Sequence, residues 1–525
     1  MKKLILLALL LTNPLTLFSQ DYIVGRLIDL DTKEPVVFAS IVLKGMAKGV
    51  ISNEDGSFRI PLDFKKYNDA LLISSMGYET ITMTLDTLRE NEVNMVYLRP
   101  KIHQLQETTV TGYVSKVLAK KIVRRAIRSI PDNYPKAPFA IVGYYRDYQK
   151  DGSKYINLNE SIIEIQDRGF GKKDLKTTNY KIYRFVKNHD FPRDSISSLA
   201  YNYENHSKII ENGYLSPYDG NELVILRVHD AIRNYDYGSY SFIGVMKRDL
   251  LPNHTFSMGN DVFLDGLWLY SINFETSKTN ITAYGNILIS KKDYAIYRLR
   301  YGIYYLNDKE TTGDNRSDTR KRDVIFEVNS EYRPQRNKMY LNYLSFSNNF
   351  MTRMPPVFML DNFVIDMDKK EIWLYFNNPL DIESTKDPTQ YELYFEEKKI
   401  PLKVLFNHKN EKQVRLKPMF KTEKEERLFF GLVKNSSKEL DSESIVYKIK
   451  GLKDINGNTL GYSQKKTYLQ IREFFAQKTI FSGNNEGKGG LYMDKTKPIF
   501  QNNIKKITLD SINGYWMNTP LKGLP

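Results

Sequence analysis

The sequence predicts a mainly β, multidomain protein that contains one long amphipathic helix. Three observations predict this class: a first module of short β-branched strands separated by turn residues, a long central stretch in which apolar and polar residues alternate, and a strand-rich segment after residue 360. The 525 residues allow about three or four domains of ordinary size. We therefore expect an N-terminal β-sandwich, a helix, a central antiparallel sheet and a second β-sandwich.

Residues 1–20 are predicted to be a signal peptide. Lys2 and Lys3 precede an apolar run from Leu4 to Leu11 that is too short to span a bilayer. The chain has no cysteine, which excludes a lipoprotein signal, disulfide bonds and thiolate chemistry. No later apolar run is long enough for a transmembrane helix. We expect export to the periplasm or to the outer membrane, with no transmembrane segment in the mature chain.

Residues 21–100 form the first module. Gly25 and Asp29 precede a turn at Pro35, Gly56 follows an Asn-Glu-Asp turn, and Gly77 stands before a tyrosine. This pattern resembles the carboxypeptidase regulatory-like domain of many exported Bacteroidetes proteins. The resemblance implies an accessory β-sandwich without catalysis. We expect Gly56 to supply a positive φ angle for a hairpin and Gly77 to mark a bulge or a close approach in a late strand.

Residues 101–136 are predicted to be a connector and a helix. The connector from Leu105 to Gly112 resembles the stretch leading into the plug of TonB-dependent receptors, which implies an envelope location. From Ser115 to Pro131, apolar and basic residues alternate at helical spacing. Such a helix can lie on an anionic membrane. Packing on a sheet is the favoured alternative, because the helix has no aromatic interface anchors. The apolar residues are Val117, Leu118, Ile122, Val123, Ala126, Ile127 and Ile130, and the basic residues are Lys116, Lys120, Lys121, Arg124, Arg125 and Arg128.

Residues 137–355 are rich in Tyr and Phe and alternate apolar with polar residues, which is typical of antiparallel sheets with one wet face. Residues 285–290 and 291–296 form a predicted hairpin. The strand rhythm is similar to the curved antiparallel sheet of periplasmic lipoprotein-carrier folds, in which a concave face shelters an acyl chain. An ordinary core under the helix is the favoured alternative. A transmembrane barrel is disfavoured, because charged residues occupy both phases of the strands.

Residues 360–472 contain a strand that ends Phe376-Asn-Asn-Pro-Leu-Asp and a later Gly451-Leu-Lys-Asp-Ile-Asn-Gly-Asn. These motifs resemble a bacterial Ig-like domain, which implies a spacer or an adhesion unit. We expect the rest of the chain, residues 473–525, to be a glycine-containing flexible tail. Its aromatic end, near Tyr515 and Trp516, is predicted to dock on a domain or to meet a partner.

No catalytic set is recognisable in the sequence. A nucleophile elbow and a phosphate-binding loop are both missing. His408 and Glu411 have the H-x-x-E spacing of metallocarboxypeptidases, but no later histidine exists to complete a zinc site. The sequence therefore predicts no catalytic residues, no metal site and no cofactor.

The net charge of +15, from 77 Lys and Arg against 62 Asp and Glu, is spread along the chain. In the favoured interpretation, this charge keeps the protein soluble. In the other, it forms a binding site for a polyanion. We expect no nucleic-acid partner. The leading hypothesis is a non-enzymatic scaffold or binding protein of the envelope, whose partner is an envelope protein or a glycan. The alternatives are a carrier of a lipid or another hydrophobic ligand in the central sheet, and a glycan-acting hydrolase whose carboxylates are not located.

Overall fold

The computed structural model describes eighteen stretches of the chain. They are residues 22–44, 48–67, 70–75, 77–101, 112–152, 154–198, 208–209, 221–235, 250–264, 266–278, 281–305, 324–353, 357–406, 411–435, 445–462, 465–481, 492–501 and 514–521. The predicted signal peptide and connector residues 102–111 lie outside them. The protein is mainly β, as predicted. It divides into two compact units: residues 1–351 with 467–525, and residues 352–466.

The N-terminal part of the first unit is a β-sandwich. Its two sheets have the strand orders β4-β1-β7 and β3-β2-β5-β6, and β7 runs parallel to β1. A shared apolar core that includes Leu27, Phe58 and Ile73 lies between them. The strands are β1 (Tyr22–Asp29), β2 (Ser40–Leu43), β3 (Lys48–Ile51), β4 (Ser57–Pro61), β5 (Ala70–Ser74), β6 (Ile81–Thr84) and β7 (Val93–Leu98).

Two glycines of this sandwich were assigned roles from the sequence. Gly56 has a φ angle of +75°, and an added Cβ atom would lie 2.5 Å from the carbonyl oxygen of Leu27, so a side chain would clash with backbone there. Gly77 has a φ angle of +82°, but a Cβ atom would meet nothing within 4 Å. Gly77 lies in a turn between β5 and β6, so the expected bulge or close approach in a strand was wrong. The left-handed backbone of the turn is what favours glycine.

The central part of the first unit is built on a large curved sheet. The strands that come first in the chain are β8 (Phe139–Asp151), β9 (Lys154–Asp167), β10 (Asn179–Lys187), β11 (Lys208–Ile209), β12 (Thr255–Met258), β13 (Val262–Leu264), β14 (Leu267–Lys278), β15 (Ile281–Ser290), β16 (Ile296–Tyr305), β17 (Val324–Gln335) and β18 (Lys338–Arg353). The predicted hairpin is present as β15 and β16, which pair antiparallel, but residues 291–295 form its turn and not its second strand. The helices of this part are α1 (Gly112–Asn133), α2 (Asp174–Thr177), α3 (Glu222–Val228) and α4 (Leu250–Asn253).

Helix α1 packs on this sheet. Ala119, Ile122, Val123, Ala126 and Ile130 are buried in the large apolar core that also contains residues of β14, β15 and β16. Lys121, Arg124, Arg125 and Arg128 are exposed.

Two residues that we assigned to the apolar face of α1 are outside the core. Val117 is 41% exposed and Leu118 is 46% exposed. At about 100° per residue, Val117 lies roughly opposite the stripe that contains Ala119, Val123 and Ala126. Leu118 lies about a quarter turn from the same stripe, so neither side chain reaches the sheet.

The second unit consists of two antiparallel sheets with the strand orders β19-β20-β24-β23 and β22-β21-β25. Residues of both sheets, including Leu374 and Leu393, share one core. Its elements are β19 (Leu360–Asp366), β20 (Glu371–Phe376), α5 (Ile382–Lys386), β21 (Tyr391–Phe395), β22 (Lys398–Ile400), β23 (Leu402–Phe406), β24 (Gln413–Pro418), α6 (Glu423–Asn435) and β25 (Ile445–Ile449). In the Gly451-to-Asn458 motif, Gly457 has a φ angle of +81°.

The last strand, β26 (Lys465–Ile480), returns to the central sheet. The order there is β10-β9-β8-β26-β18-β17-β16-β15-β14-β12, with β11 beside β18 and β13 beside β14. The domain boundary predicted at residue 472 falls inside this strand, and the tail predicted to begin at residue 473 starts with eight of its residues. Pairing with β8 holds β26 in the sheet, from Leu469 opposite Lys150 to Ile480 opposite Ala140. The second unit is therefore an insertion between the neighbouring strands β18 and β26.

Candidate functional site

The two faces of the central sheet near β8 and β26 carry different structures. Tyr145 and Phe474 point into the large core that contains α1. On the opposite face, Tyr144 and Phe475 pack with Ile51 of the sandwich and with Met517 near the C terminus. This second face is called the sandwich-side face below. The N-terminal sandwich and a C-terminal segment are thus fixed to the sheet.

A buried ion pair lies at the centre of the sandwich-side face. Arg146 of β8 and Glu473 of β26 are opposite each other in the strand register, and Arg146 Nε donates to Glu473 Oε2 at 2.5 Å. The two side chains are 0% and 1% exposed. Arg146 Nη1 also donates to Asn53 Oδ1 of the sandwich at 2.6 Å, and the Tyr343 hydroxyl donates to Glu473 Oε1 at 2.6 Å. Charges this deeply buried are tolerated only when they are paired and hydrogen-bonded.

The C-terminal segment, residues 514–521, joins the sandwich to the sheet. Trp516 is 2% exposed in the sandwich core, and its Nε1 donates to the carbonyl oxygen of Arg59 at 2.8 Å. Asn518 Oδ1 accepts from the Arg59 N–H at 2.8 Å, and Asn518 Nδ2 donates to the carbonyl oxygen of Ile51 at 2.9 Å.

On the sheet side, the segment is held by β26 and β9. Gln477 Nε2 donates to the Trp516 carbonyl oxygen at 2.7 Å, and the Trp516 N–H donates back to Gln477 Oε1 at 3.2 Å. The Thr519 hydroxyl donates to Glu160 Oε1 at 2.7 Å. The sequence predicts that this aromatic end docks on a domain or meets a partner, and Trp516 lies in the sandwich core.

A second buried ionic cluster ties α3 to the end of β9. Arg233 donates to both oxygens of Asp167, at 2.7 and 2.9 Å, and Arg227 Nη2 donates to Asp167 Oδ2 at 2.5 Å. Arg227 Nε also lies 3.0 Å from Asp174 Oδ2. All four side chains are at most 2% exposed. A third buried carboxylate, Asp230, lies 3.9 Å from Arg227 Nη1 and accepts from the Tyr332 hydroxyl at 2.6 Å. The dense pairing of these buried groups fits a role in stabilising the fold.

Asp147 is a buried acid on β8 whose pKa departs strongly from its ordinary value. It is 5% exposed on β8, and burial, followed by the negative charge of Glu222, raises its pKa to about 7. Asn159 Nδ2 donates to Asp147 Oδ1 at 2.9 Å. Nearby Arg472 is ion-paired with Glu222 and donates to Asn348 Oδ1 at 2.7 Å. Asp147 is not among the candidate residues predicted from the sequence. Phe139 to Gln149 of β8 are buried on both faces of the strand, so no alternation in the sequence marks this position.

The described histidines are held within the fold or lie on the surface. His229 stacks on Phe346 with a ring distance of 3.7 Å, and burial lowers its pKa to about 3, so its ring is neutral near pH 7. His254 Nε2 lies 3.2 Å from the Tyr301 hydroxyl, and His189 is exposed. His408 of the H-x-x-E pair lies outside the described residues. Within the described residues, no group of three or more His, Asp or Glu side chains could hold a metal ion.

An exposed apolar row lies on the outer strand of the sandwich. Val93, Met95 and Tyr97 alternate along β7 and are 42%, 46% and 48% exposed. Lys33 Nζ lies 5.2 Å from the centre of the Tyr97 ring. Among the stretches that the structure describes, β7 pairs with β1 alone. An edge strand with an apolar outer row is a surface on which another protein can add a strand or pack side chains.

The sandwich, its turn glycine and its outer strand can now be compared with known domains. Residues 23–110 match the family model of the CarboxypepD_reg-like domain. The domain predicted from the sequence is thereby confirmed. The CarboxypepD_reg-like domain supplies Asn53 to the buried network, Arg59 to the C-terminal segment and β7 to the outer surface.

Comparison with solved structures found slight likenesses. A domain from Vibrio parahaemolyticus, described as an outer membrane lipoprotein-sorting protein domain, is 9% identical, with a TM-score of 0.22 over 44% of this chain and 86% of that one. A DUF1329 family protein from Desulfovibrio piger is 9% identical, with a TM-score of 0.19 over 45% and 86%. Likenesses this slight carry no argument about function. No curated protein matches the chain.

In the described residues, no helix combines the length and the apolar character needed to cross a membrane.

Proposed function

We propose that this protein is a non-enzymatic binding scaffold of the bacterial cell envelope that holds a partner protein on its CarboxypepD_reg-like domain. The observation that carries the proposal is the buried connection between this domain and the central sheet. Arg146, with 0% exposure, donates to Glu473 of the last strand and to Asn53 of the domain. A domain fixed in this way is presented rigidly, which lowers the entropic cost of binding a partner.

The proposed binding surface is the apolar row of β7. The inner residues of the strand, Val96 and Leu98, belong to the sandwich core, whereas Val93, Met95 and Tyr97 point outward. Apolar and aromatic side chains at the centre of a protein interface supply most of its binding energy. We therefore expect a protein partner to cover this row. The second unit serves as an Ig-like spacer in this proposal, and the leader directs export.

A lipid carrier is the alternative that the curved sheet suggests. A cavity for an acyl chain would leave its lining side chains accessible to water in the empty protein. Tyr301, Phe326 and Phe346 on the helix-covered face are 2%, 3% and 1% exposed. This dense packing favours a surface-binding role over carriage. Native mass spectrometry of the gently extracted protein would reveal a bound lipid if the carrier alternative were correct.

A photo-crosslinking experiment tests the scaffold proposal. A photoreactive phenylalanine analogue at Met95 should crosslink one envelope protein in cells, and the same analogue at exposed Tyr462 of the second unit should not. Met95→Asp should then abolish co-purification of that protein, while Tyr462→Asp leaves it unchanged. Crosslinks that are the same at both positions would refute the assigned surface. Turnover of a glycan, peptide or ester by the pure protein, lost in Asp147→Asn, would refute the non-enzymatic role.

A further inference from the structure

We propose that one end of the central sheet docks on an anionic lipid surface. The surface consists of Phe263 and Trp268 of the β13–β14 hairpin, Lys101, Lys292, and Arg124 and Arg128 of α1, and is called the hairpin-end surface. This inference goes beyond the proposed partner binding and, apart from Lys101, uses residues remote in sequence from β7.

The hairpin supplies two adjacent exposed aromatic side chains. Phe263 and Trp268 are 38% and 42% exposed, and their ring centres are 5.2 Å apart. They lie opposite each other in the strand register, on either side of the turn that contains Gly266. Tryptophan and phenylalanine side chains favour the boundary between lipid headgroups and acyl chains. An exposed pair at a hairpin tip is well placed to enter that boundary.

Basic groups surround the aromatic pair. Lys101 Nζ lies 4.8 Å from the centre of the Phe263 ring. The Lys291 N–H donates to the Trp268 carbonyl oxygen at 3.2 Å, and Lys291 Nζ lies 4.9 Å from the Tyr270 ring centre. Lys292, the next residue, is exposed. The turn between β15 and β16 thus brings lysines beside the β13–β14 hairpin.

Helix α1 adds its basic side to the same end of the sheet. The Arg125 guanidinium lies 4.0 Å from the Tyr294 ring centre, and Asn133 Nδ2 donates to the Asp293 carbonyl oxygen at 3.0 Å. Both contacts are to the turn that carries Lys291. Arg124 and Arg128, one helical turn apart, are exposed. The neighbouring hairpin therefore places aromatic side chains at the same end of the sheet as the basic residues of α1.

Three acidic side chains that the structure describes at this end contact neighbouring groups. Asp261 is ion-paired with Lys291, Asp132 Oδ1 lies 3.7 Å from Lys136 Nζ, and Asp293 Oδ1 accepts from the Ala295 N–H at 3.1 Å. Among the described residues, basic groups outnumber acidic groups on this surface. Charge complementarity favours anionic headgroups, and each Lys or Arg near such a membrane contributes about 1 kcal/mol.

Vesicle sedimentation tests the proposal with the full-length protein. We expect binding to phosphatidylglycerol-containing vesicles that weakens as salt is added, and much weaker binding to pure phosphatidylcholine. Arg124→Gln with Arg128→Gln should weaken binding about tenfold or more, and Phe263→Ser with Trp268→Ser should also weaken it. All variants share the same N terminus, so a difference in vesicle binding between them reports on the hairpin-end surface. Circular dichroism checks that each variant is folded.

Two controls and a contact measurement sharpen the test. Lys421→Gln with Lys424→Gln, on the exposed surface of the second unit, and Met95→Ser with Tyr97→Ser, on β7, should leave vesicle binding unchanged. Brominated lipids should quench tryptophan fluorescence in the wild type and much less in Trp268→Phe. Binding that is equal for neutral and anionic vesicles, insensitive to the hairpin-end substitutions, or replaced by equally tight binding to an acidic polypeptide would overturn the proposal. Loss of the partner crosslink at Met95, with vesicle binding unchanged, would not overturn the lipid-binding proposal.

Discussion

At the scale of single residues, the two buried charges of β8 and β26 are the most sensitive point of the fold. Arg146→Met leaves Glu473 charged, buried and without its guanidinium partner. We expect the free energy of unfolding to fall by about 3–5 kcal/mol, because breaking a buried pair leaves an uncompensated charge. Urea denaturation followed by circular dichroism measures this loss.

The matched control removes both charges. Arg146→Met combined with Glu473→Gln retains an acceptor for the Tyr343 hydroxyl and leaves no buried charge. We expect this double variant to be more stable than Arg146→Met alone. A double variant that is less stable than the single one would mean that shape, and not charge pairing, governs this site.

Asp147 gives a second residue-scale prediction, which concerns pH. Its pKa in the folded protein is raised to about 7, so the folded state holds a proton that the unfolded chain releases near pH 4. Stability contributed by this group therefore falls as the pH rises from about 4 to 7 and stays low above that range.

Asp147→Asn removes this dependence. We expect the variant to gain stability relative to the wild type as the pH is raised from 5 to 8, by about 2 kcal/mol, as measured by denaturant titration at each pH. Asp387→Asn is the control, because the pKa of the half-buried Asp387 is lowered, first by its hydrogen bond with Thr389. The same pH profile for Asp147→Asn and the wild type would contradict the assignment.

At the scale of elements, the C-terminal segment acts as a fastening between the sandwich and the sheet. Trp516 is buried beside Phe64, with ring centres 5.4 Å apart. We expect Trp516→Ala to lower the free energy of unfolding by about 3–5 kcal/mol, because it empties a core position. Differential scanning calorimetry and limited proteolysis of the sandwich measure this change.

The conservative replacement separates packing from hydrogen bonding. Trp516→Phe keeps an aromatic ring but removes the Nε1 donor to Arg59. The loss in free energy of unfolding should be smaller for Trp516→Phe than for Trp516→Ala. Protease resistance of the sandwich that is unchanged in Trp516→Ala would show that the segment does not fasten it.

The sequence predicted those elements whose residue pattern lies within one short stretch of the chain. The helical spacing from Ser115 to Pro131 predicted most of α1, which spans Gly112–Asn133. The alternation around residues 285–296 predicted the β15–β16 hairpin. The exposure of Val117 was not predictable in this way, because the side of α1 that meets the sheet depends on partners distant in sequence.

The candidate site was largely hidden from the sequence for the same reason. Arg146 and Glu473 are separated by 327 residues, and nothing in either strand's own pattern indicates that they face each other. Strand β26 was assigned partly to a domain and partly to a tail, because its pairing with β8 is non-local. The exposed row of β7 was also not predictable, because the sequence does not show that this strand lies at an edge of its sheet.

At the scale of the whole molecule, the second unit is an independent insertion. It has its own apolar core, and its ends continue into β18 and β26, which are neighbours in the central sheet. We expect residues 352–466 to fold alone. We also expect the first unit to keep its fold when residues 354–464 are replaced by a short Gly-Ser turn, because such a turn can join adjacent strands.

Thermal unfolding measured by circular dichroism tests both halves of this prediction. Each product should show a cooperative transition. A control in which the same turn replaces residues 340–464 removes most of β18 and should not fold. Failure of the 354–464 replacement to fold would mean that the first unit depends on the second for its stability.

The placement of β26 also has a consequence for biogenesis. Because β26 is synthesised more than 300 residues after its neighbour β8, the middle of the sheet stays open until β26 has emerged. Closing so long a loop is slow, and exposed strand edges invite aggregation meanwhile. Newly made chains should therefore depend on a holding chaperone until β26 pairs with β8.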